Sequence, residues 1–434
     1  MTYSENIKFS KLNYFDFYLI AVISFLPISI IIGNLFLNIN ILLLNLTLII
    51  YCFKNNIWKW LKTLKFKYLI VVYLYFVLNS IYSFYNFNLD SDYEGVIRSL
   101  SFIKFILLIY AFEIFLTKRK IFNQISTIWT IIITVVLIDV FFERITGQNL
   151  IGNASPSSKR IVSFFFDELI VGSFILAFGF FANISLLDNL NKNKYNKFFF
   201  NLLFLLIPIS IFLTGERANL LKSLFIFFFL LILIDNKNFF LKKSIIIVIL
   251  IFSFVAGLLL SENIYYKQTA LFKRITAADG NNLYEKFSNI KYFSHYDAAF
   301  KIFLDHPYTG IGSKNFRDEC GKKKYSNKEI KFTLSRCSTH PHQIHFEILA
   351  EQGIIGYAII FGFFILFFIN SFKQFIIKND YLTLFGIFYL LASLLPILPT
   401  GSIFSSSNGS FFWIIFSLTN YRSYNLDSFF NKTK

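Results

Sequence analysis

The chain has 434 residues, is 56% hydrophobic and 20% aromatic, and carries only 15% charge. A soluble globular domain is nearer about a quarter charged, so this balance excludes an ordinary water-solvated fold and points to lipid as the solvent. The net charge of +17 is not read as nucleic-acid binding: short cytoplasmic loops hold Lys and Arg, and the surplus of Phe, Ile, Asn, Lys and Tyr follows AT-rich codon usage.

A membrane-crossing helix needs about 20 mainly apolar residues. Such stretches recur at 15–33, 36–53, 68–86, 99–116, 121–142, 169–188, 198–214, 218–234, 244–260, 346–369, 381–398 and 409–421. The first is long enough to span and has no small-residue cleavage site after it, so it reads as a retained span. Lysines and arginines then test the count. Lys54, Lys59, Lys62, Lys65 and Lys67 follow the second stretch, and Lys118, Arg119 and Lys120 the fourth. Lys192, Lys194 and Lys197 follow the sixth, Lys237, Lys242 and Lys243 the eighth, and Lys373 and Lys378 the tenth. Every even-numbered exit is basic, which predicts both termini in the cytoplasm.

The expected fold is therefore an all-α integral membrane protein of about 12 transmembrane helices. Spans 1–9 fill residues 1–260, a large helical periplasmic loop fills 261–345, and spans 10–12 with a cytoplasmic tail fill 346–434. A second outer loop runs over 143–168. No internal repeat is visible.

All five histidines (His295, His306, His340, His342, His345) fall in or at the end of the long loop, as do Cys320 and Cys337. In an oxidising compartment a disulfide closing the 16 residues between those cysteines is the natural reading. Cys52 reads as apolar filler. The loop offers two helices. Over 289–305, Tyr292, Tyr296, Ala299, Phe300 and Phe303 recur at helical spacing, and His306-Pro307 with Gly310 and Gly312 ends the run. A second helix is expected to open at Ser338-Thr339-His340-Pro341 and to run into span 10, with His342 and His345 on one face.

Three readings of the histidines compete. A metal cluster is disfavoured by the absence of HExxH or of a matching carboxylate pair. Solvated histidines at a helix entry are the bland alternative. A histidine acting as a general base near working pH is the preferred one. Arg217, in a tight turn between two spans, either snorkels or holds an anion, with Glu216 as a candidate partner. Arg160, in the 143–168 loop, is either an ordinary loop charge or a second anion contact. Arginine suits the anion role because its planar fork grips phosphate oxygens in pairs. Asp139, near the end of span 5, is expected to orient one of these arginines.

Four segments, in order, resemble the O-antigen ligases of the wider O-antigen ligase and polymerase superfamily. They are Ile145-Thr146-Gly147-Gln148-Asn149-Leu150-Ile151-Gly152 with Arg160, and the Leu213–Leu221 turn with Arg217. His306-Pro307-Tyr308-Thr309-Gly310-Ile311-Gly312 is similar to the family's HP-x-x-G-[IV]-G element. His340-Pro341-His342-Gln343 followed by Leu349-Ala350-Glu351-Gln352-Gly353-Ile354-Ile355-Gly356 is similar to its HPHN-type helix. The resemblance implies metal-independent, cofactor-free transfer of a glycan from an undecaprenyl-diphosphate carrier to lipid A–core, at the periplasmic face of the bacterial inner membrane. It implies His342 as the catalytic base and Arg217, with Arg160, as the grip on the diphosphate. Gln343 stands where the family commonly has Asn. The arginine common at the start of the loop helix is absent, leaving Lys291, His295 or Arg274 for that position. His340, His345 and Glu351 complete the expected substrate-binding set.

An O-antigen polymerase and a protein O-glycosyltransferase use similar carrier chemistry, and sequence motifs separate them from a ligase poorly. A twelve-span transporter is a reading from another class. It predicts repeated halves and buried charges along a central path, whereas Lys104, Glu113, Asp139 and Lys222 lie mostly near span ends.

Overall fold

A computed structural model describes residues 12–87, 89–154, 160–166, 169–188, 194–276, 283–288, 290–396 and 398–422. Helices dominate, because a chain surrounded by hydrocarbon must satisfy its backbone N–H and C=O groups within each segment. In chain order they are α1 (Tyr14–Ile32), α2 (Asn34–Asn55), α3 (Leu64–Asn86), α4 (Asp92–Phe115) and α5 (Arg119–Thr146). Then come α6 (Val171–Leu187), α7 (Lys194–Thr214), α8 (Arg217–Leu233) and α9 (Lys243–Leu260). The loop holds α10 (Glu262–Thr276), α11 (Leu283–Ser288), α12 (Lys291–Asp305) and α13 (Phe316–Glu319). The chain closes with α14 (Ile344–Lys378), α15 (Tyr381–Ser393) and α16 (Ser407–Arg422). Among the described residues the β structure is confined to an isolated bridge between Gln148 and Ala154.

Each expected span is overlaid by a helix, and 8 of the helices are long and apolar enough to cross a membrane. α6, α8, α15 and α16 are shorter. The bundle is held by aromatic packing rather than by ions. Trp413 of α16 stacks on Phe105 of α4 with ring centroids 5.9 Å apart, and Phe229 of α8 stacks on Phe388 of α15 at 4.7 Å. One buried ionic cluster stands out at an end of the bundle: Lys65 pairs with Glu113, and the Asn420 amide donates to the same Glu113 carboxylate at 3.0 Å.

Two contacts fix the sense of packing that positions the site. The backbone N–H of Asp235, just past α8, donates to the Tyr381 hydroxyl at the start of α15, 3.4 Å away. Phe225 and Phe229 meanwhile pack on Phe388, further along α15. The two helices therefore run antiparallel, and Arg217, which opens α8, lies at the end of the bundle where α15 finishes.

The loop carries a small core of its own, in which Ala298, Ala299 and Ile302 of α12 meet Ile311, Phe316, Cys320, Tyr325 and Ala350. The buried face of α12 is thus Ser294, His295, Ala298, Ala299 and Ile302, not the expected aromatic stripe. Phe300 is exposed. Small Ala298 and Ala299 let α12 approach α14 closely, which the larger rings would prevent.

The His306–Gly312 segment is a backbone staple. It lies against a break in α14 at Gly353, where φ is 64°. Ile311 and Gly312 donate to the carbonyls of Ala350 and Glu351 at 3.0 and 2.8 Å, and Ile354 donates to the Pro307 carbonyl at 2.8 Å. Asn79 of α3 closes the joint, its amide donating to the carbonyls of Thr309 and Glu351 at 2.9 and 3.1 Å. A Cβ at Gly353 would strike the Tyr308 carbonyl, and one at Gly310, φ 67°, would meet the backbone of Glu351. Both glycines are required by this close approach.

Candidate active site

The second loop helix does not open at His340-Pro341. α14 begins at Ile344 with Gln343 as its N-cap, whose side-chain oxygen accepts from the N–H groups of His345 and Phe346 at 2.6 and 3.2 Å. Its amide nitrogen donates to the Leu395 carbonyl at 3.2 Å. An amide is needed here to satisfy orphan donors at the helix start and to reach the end of α15. Gln343 therefore does capping work, and its extra methylene relative to Asn is accommodated.

Because the helix starts late, His342 lies outside it. Its φ is 58°, a left-handed conformation uncommon for a residue with a Cβ. The Thr400 N–H holds it there by donating to the His342 carbonyl at 2.8 Å. His342 and His345 consequently do not share a face. The His345 ring has both nitrogens engaged by protein, one with the Tyr357 hydroxyl at 2.9 Å and the other with the Leu394 carbonyl at 2.8 Å, and it stacks on Phe361. It pins α14 to the end of α15.

His342 instead joins a row of rings. Its centroid is 4.3 Å from His340, 5.4 Å from His295 and 5.3 Å from Tyr292. Burial lowers all three histidines below the ordinary 6.5: His340 to about 3 and His342 to about 4, with His295 also depressed. The Lys291 ammonium, and His295 whenever it is itself protonated, add like-charge pressure on His342. The rings are thus neutral at physiological pH, and a neutral imidazole is the form that accepts a proton.

The arginine turn is assembled from three elements. Ile161, next to Arg160, donates its N–H to the Thr214 carbonyl at 3.4 Å, and Arg144 donates to the Leu213 carbonyl. Glu216 is buried; its carboxylate accepts from the Gly172 N–H at 2.8 Å and the Asn219 amide at 2.6 Å, and the Arg160 guanidinium faces it. Burial pushes Glu216 up, and these groups pull it back. Asp139 does not orient an arginine. It accepts from the Ser163 hydroxyl at 2.5 Å and the Leu150 N–H at 2.6 Å, tying α5 to the following loop.

The structure therefore brings Lys291, His295, His340 and His342 together and sets Arg160 against the Arg217 turn. The Arg217 turn and the His342 segment lie at the same end of the bundle, since Leu394, Leu395 and Thr400, beyond the finish of α15, hold residues 342–345. Glu351 is 1% exposed, with the backbone of Lys314 and Phe316 and the Arg98 guanidinium near its carboxylate. The Arg274 side chain lies outside the described residues. Arg98 of α4, which faces Glu347 and Glu351, and Thr400 were not legible as site residues, since nothing local in the sequence marks either.

Long apolar helices, with imidazoles and an arginine turn at one end, define a multi-pass membrane protein. Residues 202–361 match the family model described as O-antigen ligase, a span that takes in the arginine turn, the loop, the histidines and the Gly353 break. The match supports an O-antigen ligase family assignment for this part of the chain, within a superfamily of membrane glycosyltransferases. A comparison with curated proteins gave no match.

Proposed function

We propose that the protein moves an O-antigen glycan from undecaprenyl diphosphate to lipid A–core at the periplasmic face of the inner membrane. In this reading the chain crosses the membrane twelve times, both termini are cytoplasmic, and the 261–345 loop is periplasmic. A ring nitrogen of His342 takes the proton of an acceptor sugar hydroxyl as that oxygen attacks the anomeric carbon of the donor. The bond from the anomeric carbon to the phosphate oxygen breaks, its electron pair leaving on undecaprenyl diphosphate, and attack opposite the leaving group inverts the centre. Arg217 and Arg160 offset the charge that grows on the diphosphate, a task arginine forks perform without a metal. Lys291 and His340 line the path beside His342.

The observation that carries this reading is that one O-antigen ligase match covers both the arginine turn and the histidine segment, and antiparallel packing of α8 on α15 sets the two at one end of the bundle. Deleting the gene tests it. The expected phenotype is lipopolysaccharide without O-chain while carrier-linked polymer accumulates. Core bearing single repeat units, with long chains lost, would move the reading to a polymerase.

A further inference from the structure

Within that reading a base needs orienting, and the His342 ring lies beside a second imidazole, that of His295, with centroids 5.4 Å apart. The Nδ1 of His295 lies 2.8 Å from the Arg336 carbonyl. A carbonyl can only accept, so Nδ1 carries the hydrogen and, in the neutral ring, Nε2 keeps its lone pair. His295 is 1% exposed, which leaves no solvent to supply a competing partner. The groups facing its ring are Lys291 and Tyr292 on its own helix, His342 with His340 behind it, and the Arg336 backbone.

That carbonyl is itself held. The Arg336 guanidinium folds back and donates to the carbonyls of Cys320 at 2.7 Å, Gly321 at 2.8 Å and Thr333 at 3.1 Å. The next residue, Cys337, is joined to Cys320 by a disulfide with Cα atoms 5.4 Å apart. One arginine and one covalent link thus close the same short loop on itself, and among its contacts with α12 is the carbonyl that His295 reads.

We propose that the disulfide-closed 320–337 loop is a positioning device: the Arg336 carbonyl fixes His295 as the Nδ1–H tautomer, and His295 Nε2 accepts from a ring N–H of His342. His342 then keeps its other nitrogen as the lone pair facing the acceptor hydroxyl. The order carbonyl, imidazole, imidazole follows the general logic by which a third group orients a catalytic base. His295 and Arg336 act through His342 and are positioning residues. Reduction of the disulfide frees the carbonyl and relaxes the tautomer, so transfer is sensitive to reductant.

The tautomer can be read without any substrate. The full-length protein in detergent micelles, with its five histidines labelled with 15N, is observed at neutral pH by two-bond proton–nitrogen correlation, and His295 is assigned by its loss in His295→Gln. The expected result is the Nδ1–H form in the wild type and a mixture of tautomers in the Cys320→Ser/Cys337→Ser variant. An Nε2–H form in the wild type, or an unmixed Nδ1–H form in the double serine variant, overturns the proposal whatever the donor proves to be. In transfer assays His295→Leu is expected to lower the rate about tenfold to a hundredfold, the range of lost orienting partners. His295→Gln, whose amide both donates and accepts, is expected to recover most of it. Equal losses in the two variants overturn the positioning role, and the tautomer reading keeps this outcome separate from failure of the ligase assignment.

Discussion

Two residues near the start of α14 share a left-handed backbone and meet it in opposite ways. Gly353, φ 64°, has no side chain because the Tyr308 carbonyl occupies the place of a Cβ. His342, φ 58°, keeps a full imidazole, and Thr400 and the Gln343 cap hold its segment in place. The first is a joint between backbones, held by N–H groups of Ile311, Gly312 and Ile354 donating across it. The second retains strain on the residue proposed as the base, and functional sites are where proteins tend to store strain. The same contrast separates His342 from His345, whose nitrogens are both committed to protein partners.

That contrast can be broken by substitution. His342→Ala is expected to lower transfer by about 10²–10⁴-fold, the worth of a general base, while the melting temperature in detergent stays close to that of the wild type. A large fall in melting temperature would make His342 a structural residue like its neighbour. Gly353→Ala places a Cβ against backbone at positive φ and is expected to destabilise the protein by about 3 kcal/mol, seen as a lower melting temperature. His345→Ala strips partners from Tyr357 and Leu394 and is expected to cost about 2–3 kcal/mol, with residual activity in whatever protein stays folded. Losing the Cys320–Cys337 link in the double serine variant is expected to cost about 2–4 kcal/mol, measured the same way with and without reductant.

The smallest expected effect sharpens the electrostatics. His342 must be neutral to accept a proton, and burial, with the Lys291 charge beside it, holds it at about 4. With burial as the main cause and the Lys291 charge adding to it, activity should survive as the pH falls through the ordinary histidine value of 6.5 and fail only below it. Lys291→Gln removes a like charge, raises the affinity of His342 for a proton, and shifts the acid limb of kcat/KM upward by a few tenths of a pH unit. A downward shift would mean that Lys291 does not face this ring.

Much of the fold was legible because lipid imposes a strong rule: apolar stretches at 15–33 through 409–421 each coincide with a helix. The loop was harder, since its helices obey local packing rather than a solvent boundary. The spacing placed Ala299 and Tyr296 toward α14 but also Phe300, which is exposed, and it missed Ser294, His295, Ala298 and Ile302 on the buried face of α12. Proline suggested an early start for α14, but Gln343 supplies the cap and leaves His342 outside. The glycines of the His306–Gly312 and Ala350–Gly356 motifs carried a readable signal for a turn, yet that they bind each other is a tertiary fact. Glu351 and His345 sit inside sequence motifs and are spent on architecture, which residue type alone does not reveal. The role of Arg336 could not be read locally either, since it acts through its carbonyl.

The central claim is that a neutral imidazole and an arginine turn at one end of the bundle act on a single lipid-linked donor. Transfer from undecaprenyl-diphosphate-linked glycan to purified lipid A–core, with EDTA present, measures it directly. The account predicts robust transfer by the wild type and near-complete loss in both His342→Ala and Arg217→Ala proteins of unchanged melting temperature. Undiminished transfer by either variant would contradict it.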